Sequence, residues 1–269
     1  MKNSQKNQKI HELLQLAIGA LLIASLNGCG TPVTKEIALN KNDLQREEQA
    51  QKDMARKYPP KKLSQTQHKD LAAYQARMNK VAPPLMRAAQ QICTDHKCNY
   101  TFKIANEPVL NAWADGKTVN VTPMMMDFLD SDKELALILA HELSHNIMGH
   151  IAKKQKNVLY GTLADIAARV GGVDTGGAFS NVGAMSYSQG FENEADYVAI
   201  YIMAIAGYDV SDINQLWRKM SVQTPQSIRA SFFSSHPSNA ERFLRMQKAI
   251  DEVLAKKAAG QKLLPNFKT

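Results

Sequence analysis

The feature that most restricts this 269-residue chain is a dense apolar stretch from Leu135 to Ile151 with His141-Glu142-Leu143-Ser144-His145 near its middle. Ser131 and Glu134, just ahead of it, form a capping-box pattern, so the stretch predicts a largely buried helix. With about 3.6 residues per turn, a spacing of four puts both imidazoles on one face, one turn apart, where they can bind one zinc ion. Glu142, beside the first histidine, can reach a water on that metal and take its proton. Burial makes the pattern informative, because a chance His-Glu-His on a solvated face would not sit inside a hydrophobic run. One Zn2+ per chain is therefore the expected cofactor.

A hydrolytic zinc needs a third protein ligand and an open position. His150 lies on the opposite side of the predicted helix from His141, and Ile151 stands where the metzincin pattern, which the chain does not resemble here, would need a histidine. His150 is therefore read as a packed or capping histidine near the helix end. A second apolar helix is predicted from about Phe191 to Ala206, stopping at Gly207, with Glu192, Glu194 and Asp196 in its first turns. Alone, these acids would read as a solvated helix start favoured by the macrodipole. Beside the upstream histidines they supply the missing ligand. Glu192 and Asp196 share a face, so one carboxylate can bind metal while the other orients a ligating histidine.

The remainder of the chain frames these two helices. Lys2, Lys6 and Lys9 precede an apolar run, Leu13 to Leu26, too short to span a bilayer well and ended by Leu26-Asn27-Gly28-Cys29. Leu26 to Cys29 resembles a bacterial lipobox, which implies that residues 1–28 are a lipoprotein signal peptide and Cys29 the lipidated first mature residue, the alternative being an ordinary signal peptide with a chance cysteine; a polar, partly helical tether is expected over 29–65. The catalytic domain is expected over 66–258 and a short tail over 259–269. Cys93 and Cys98 suit a small-loop disulfide in an exported protein, the alternative being a metal knuckle with His96. A helical pattern over 67–92 is interrupted by Pro83-Pro84, which predicts a kink or two helices. Tyr100–Ile104 and Thr118–Thr122 alternate as strands, with an Asp115-Gly116 turn ahead of the second. Residues 156–190, rich in glycine and serine, predict a loop or hairpin, and further helices are expected over 211–222 and 238–257. The expected fold is α+β, predominantly helical, with a small β-sheet bordering a cleft. The formal charge of +8 comes without any nucleic-acid motif, so no nucleic-acid partner is expected and a basic exterior near a membrane is.

Three ordered motifs carry a family resemblance: His141 to His145 with Asn146-Ile-Met-Gly-His-Ile151; Phe191 to Asp196 with Ala206-Gly-Tyr-Asp209; and Ser235-His-Pro237 with Arg242. Over residues 70–250 the chain resembles the gluzincin zinc metallopeptidases of the HtpX heat-shock protease and CAAX prenyl endopeptidase type. The resemblance implies that His141, His145 and Glu192 bind zinc, that Glu142 is the general base and that Asp196 supports a ligand from behind. It implies that His236 either donates to the reacting oxygen or caps the site as a reversible ligand. Asn111-Ala112-Trp113 resembles the edge-strand segment that pairs with substrate backbone, although Trp113-Ala-Asp-Gly replaces the apolar Pro-Gly stretch common in that family.

The implied activity is hydrolysis of peptide bonds in unfolded or extended polypeptides. The lipobox places the likeness with the periplasmic lipoprotein branch, which implies a membrane-anchored, periplasm-facing protein at the outer membrane, with outer-membrane assembly machinery as a partner. A non-catalytic, chaperone-like lipoprotein is the rival reading. A cell-wall hydrolase using Glu142 and a second carboxylate is a third, and leaves the helix-spaced histidines unexplained.

Overall fold

The computed structural model describes residues 31–57, 60–61, 71–93, 98–185, 188–222, 236 and 240–268. The fold is mostly helical with one small sheet, as the sequence patterns predict. Cα packing divides the chain into two units, one of Val33–Met148 with Glu192–Thr269, the other containing Pro32 and Gly149–Phe191.

In the larger unit, α1 (Lys41–Lys57) and α2 (Leu71–Ile92) precede β1 (Thr101–Ile104), β2 (Ala112–Ala114) and β3 (Thr118–Val121). β3 is central, parallel to β1 and antiparallel to β2, with Phe102 opposite Val119 and Trp113 opposite Asn120. The β2–β3 turn is held by Asp115, whose Oδ1 accepts from the amides of Lys117 and Thr118, and by Gly116 at φ 95°, a region that disfavours side chains. α3 (Pro123–Phe128) is capped by Thr122 and buries Met124, Met125 and Met126. α4 (Asp132–Ile147) opens on Ser131, whose side chain accepts from the Glu134 amide, while Glu134 accepts from the Asp130 amide. Every residue of α4 from Leu135 to Asn146 is buried. The helix ends sooner than Ile151, because Met148 caps it and Gly149 turns left-handed at φ 66°.

α2 runs unbroken through Pro83 and Pro84 as a single helix. A proline forfeits one backbone bond, and here the apolar face of Val81, Ala82, Leu85, Ala88 and Ala89 is buried across the interruption. Cys93, just beyond this helix, is bonded to Cys98; His96 lies outside the described residues.

The segment expected as a tether is docked along much of its length. The amides of Val33 and Thr34 donate to Glu194 Oε1 at 2.5 Å, and Thr34 bridges Phe267 in antiparallel fashion, tying residues 33–35 to the C-terminal tail. α1 is held by buried Glu47, which accepts from Arg218 Nε at 2.8 Å and from its Nη2 at 2.5 Å.

The smaller unit contains α5 (His150–Val170) and α6 (Ala178–Met185), and α7 (Ser188–Ile205) begins in it and runs into the larger unit. Of the loop or hairpin expected over 156–190, α5 and α6 form a hairpin, and it is helical. Gly161 is a packing glycine: a Cβ there would lie 2.2 Å from the Phe179 carbonyl oxygen. Asp165 accepts from the amides of Phe179 and Ser180 and from the Thr175 hydroxyl, which together hold its carboxyl at about 2, well below the usual range. Gly161→Ala is therefore expected to cost about 1–3 kcal/mol by overpacking. Amide exchange in α6 should accelerate accordingly, and unchanged protection there would contradict this packing role. His150 stacks on Phe191 with centroids 4.5 Å apart, a packed histidine as its sequence position suggests.

The larger unit is completed by α8 (Gln215–Val222) and α9 (Ala240–Ala258). Its core joins α2, β3, α3, α4, the middle of α7, Trp217 of α8 and Met246, Ile250 and Val253 of α9. α4 and α7 are buried on nearly all sides, so the polar groups they carry inward must find partners within the core.

Candidate metal centre

α4 presents His141 and His145, α7 presents Glu192, and His236 approaches from the segment before α9. Their ligand-type atoms all lie within 4.8 Å of one another, and all four residues are buried. His141 Nε2 is 3.2 Å from His145 Nε2 and 3.2 Å from His236 Nδ1. Glu192 Oε2 is 3.3 Å from His141 Nε2, and its Oε1 is 3.3 Å from His145 Nε2. Ligands about 2.0–2.1 Å from a four-coordinate ion stand about 3.3 Å apart, so these separations fit a single metal centre. Glu192 Oε2 also lies 2.6 Å from His236 Nδ1.

The charges around the cluster follow from burial and pairing. Asp196 stands 2.9 Å from His141 Nδ1, on the ring edge away from the cluster. Burial opposes a proton on His141, but the carboxylates of Asp196 and Glu192 outweigh it and raise the ring to about 9. A cation is thus strongly favoured at this point, and a metal would take the place of that proton. Burial lowers His145. Burial would raise Glu192, yet the neighbouring imidazoles, His236 and His145 foremost, bring it well below the usual carboxylate range.

Glu142 is on the same helix and almost fully buried. Its Oε1 has no hydrogen-bond partner among the described residues and lies 3.5 Å from His236 Nε2. A carboxylate oxygen without a donor is costly inside a protein unless a further species completes it. A metal with its bound solvent beside Glu142 would do so, and the donor set therefore fits the group.

Two residues that the sequence did not single out as site residues hold the centre from behind. Arg242 donates from Nε and Nη2 to the two oxygens of Asp196, both at 2.8 Å, and its Nη1 is 3.5 Å from Glu192 Oε2. Burial raises the Asp196 carboxyl, but the Arg242 guanidinium outweighs it and brings the group below its ordinary value. Trp217 packs edge-on to His141, and the Arg242 guanidinium lies 4.3 Å over its ring. Arg242 was visible as part of the late motif, but nothing in the linear pattern pairs it with Asp196.

Asn146 links the centre to the sheet. Its Oδ1 accepts from the Gly116 amide at 2.8 Å and its Nδ2 donates to the Thr118 carbonyl, so the residue after His145 fixes the β2–β3 turn. β2, one of the two outer strands and the one that contains Ala112 and Trp113, packs along α4, with Asn111 leading into it and pairing with Thr122. Cys93 and Cys98 take no part in the cluster, and Cys29 lies outside the described residues.

The model of peptidase family M48 matches residues 73–250, from near the start of α2 through most of α9. The chain belongs to peptidase family M48. Among similar proteins of this kind is the mitochondrial metalloendopeptidase OMA1 of Arabidopsis thaliana, 29% identical over 143 residues, covering 52% of this chain and 29% of the relative. The metalloprotease LoiP of Escherichia coli K12 is 28% identical over 153 residues, covering 54% of this chain and 59% of the relative. The β-barrel assembly-enhancing protease of Yersinia pestis is 27% identical over 141 residues, covering 46% and 29%. In each case the match spans less than two thirds of the relative's length. For this M48 chain, the family and the four-residue cluster both indicate a metal ion.

Proposed function

We propose that this M48 protein is a zinc-dependent endopeptidase of the bacterial cell envelope that cleaves unfolded, misfolded or precursor polypeptides. The observation that carries the reading is the convergence of His141, His145, Glu192 and His236 within 4.8 Å, beside Glu142, whose Oε1 has no hydrogen-bond partner among the described residues. Two imidazoles and a carboxylate are a donor set that zinc favours. When bound, zinc supplies Lewis acidity for the peptide carbonyl and for water.

The chain's own residues do the remainder. Glu142 accepts the proton of the attacking water and returns it to the leaving nitrogen. Asp196, braced by Arg242, fixes the His141 ring so that Nε2 faces the cluster. β2 offers its outer edge to an extended substrate segment, with Asn111, Ala112 and Trp113 contacting it in strand-to-strand fashion. A lipid on Cys29 holds the protein at the outer membrane facing the periplasm, where substrates arise during assembly of envelope proteins; this rests on the lipobox and on the names of the bacterial relatives. No helix among the described residues is long and apolar enough to cross a membrane.

Full-length protein purified from membranes should contain one zinc per chain and cleave unfolded casein. Chelation should abolish cleavage, and zinc should restore it. Glu192→Ala should lose most of the zinc; full zinc content in that variant would remove Glu192 from the ligand set.

His236 completes a set of four ligands, a closed arrangement more usual for structural than for catalytic zinc. It therefore acts as a reversible cap, and substrate enters when it leaves. His236→Ala should raise the initial rate of casein cleavage by up to about tenfold, the gain if the capped form holds about nine-tenths of the molecules. A fall of about 10²–10³ would assign His236 instead to stabilising the reacting oxygen. The client-binding alternative is favoured by the same closed set, and predicts zinc without cleavage in both the parent and His236→Ala.

A further inference from the structure

α5 has two apolar faces, and among the described residues only one of them is packed. Gly161, Ala164 and Ala168 are on the side that meets α6, with Asp165 beside them clamping the α6 start. On the opposite side Leu159, Leu163, Ile166 and Val170 recur at helical spacing and are 55%, 46%, 54% and 78% exposed. The stripe is about 16 Å long. Isolated exposed apolar residues are ordinary, but four aligned on one helix face mark a surface that meets something.

Charge and connectivity both point to the same occupant. Between Ile151 and Val170 the one acidic residue is Asp165, turned towards α6, whereas exposed Lys156 lies about one turn before the stripe and on its side of the helix. An apolar face with a lysine at its start and free of acids suits anionic headgroups over acyl chains. Pro32 packs against Gly190 within the hairpin unit, where a Cβ on Gly190 would be 2.9 Å from Pro32 Cγ. Only two residues separate Pro32 from Cys29, three residue steps with a reach of about 10 Å. Directly after Pro32, Val33 and Thr34 are tied to Glu194, so little slack follows the anchor point.

We infer that the α5 stripe is a membrane-contact surface that lies in the interface of an anionic bilayer. The inference rests on the proposed lipid at Cys29. The lipid alone would tether the protein, whereas the stripe makes a second, orienting contact.

The test uses full-length lipoprotein reconstituted into phosphatidylethanolamine/phosphatidylglycerol vesicles. Cys93 is bonded to Cys98, and the lipid occupies Cys29, so a cysteine introduced as Leu163→Cys or Ile166→Cys can be labelled alone with a polarity-sensitive fluorophore. Lys257→Cys, exposed on α9, is the control. Casein cleavage at the parent rate shows that the labelled protein is folded. The expected result is blue-shifted emission at 163 and 166, quenched by doxyl-labelled lipid, with water-like emission at 257. Water-like emission at 163 and 166, with Cys29 acylated by mass spectrometry, overturns the membrane contact and leaves the anchor standing. A blue shift without doxyl quenching overturns it too, because the stripe then faces protein, whether a second copy or a client. An unacylated Cys29 sinks the anchor and the inference built on it, yet leaves zinc content and casein cleavage as separate evidence for the peptidase.

Discussion

Glu142→Gln is expected to keep its zinc and lose about 10²–10⁴-fold in kcat on unfolded casein, the usual contribution of a positioned general base. The substitution preserves shape and removes the ability to hold a proton between water and the leaving nitrogen. Glu142 stands outside the four-residue cluster, so metal stoichiometry should match the parent. Stability gives an independent check. Glu142 is 1% exposed, and its Oε1 is without a hydrogen-bond partner among the described residues, an arrangement that favours chemistry over stability. Replacing the carboxylate by a neutral amide should leave the melting temperature of the zinc-loaded protein unchanged or raise it. A variant with full zinc and undiminished turnover would remove Glu142 from the mechanism, whereas loss of both zinc and fold would show that it serves the architecture instead.

The parts of this centre that the sequence discloses are those whose signal is local. The α4 motif combines helical spacing with an apolar run, and the helix forms around it with Ser131 as its cap. Glu192 and Asp196 are legible because they share a face of a second apolar helix, and both are buried at the places that spacing predicts. The less legible parts depend on distant pairing. Arg242 meets Asp196 across 46 residues, and Arg218 reaches Glu47 across 171, which turns an apparent tether into a docked helix. Glu194 looks like a solvated acid at a helix start, yet it is buried and receives two amides from residues 33 and 34. Glycine misleads in both directions. Gly161 reads as a loop signal but lets α5 and α6 approach closely, whereas Gly149 lies inside an apolar pattern and ends α4. Periodicity gives the faces of helices; which charges meet between them requires the packed chain.

Asp196→Ala carries the largest expected effect on stability, because it leaves Arg242 buried without its two-point partner. Arg242 is 2% exposed and donates to both Asp196 oxygens at 2.8 Å, so its charge has no route to water when the carboxylate is removed. Breaking one side of such a pair costs about 3–5 kcal/mol. The nearby Glu192 carboxylate, 3.5 Å from Arg242 Nη1, would offer partial relief, but only by being drawn from the metal cluster. The same substitution frees the His141 ring, which Asp196 approaches at 2.9 Å from behind, and loss of such an orienting partner lowers metal affinity by about 10–100-fold. The two effects can be separated. Asp196→Leu combined with Arg242→Met removes both charges, so denaturant unfolding of the metal-free protein should recover much of the lost stability, since a buried pair replaced by apolar side chains is often neutral. Zinc affinity in that double variant should stay low, because nothing then orients His141. If the double variant regained parental zinc affinity, the acid would be acting through the fold alone, and its place behind the metal ligand would have no chemical consequence.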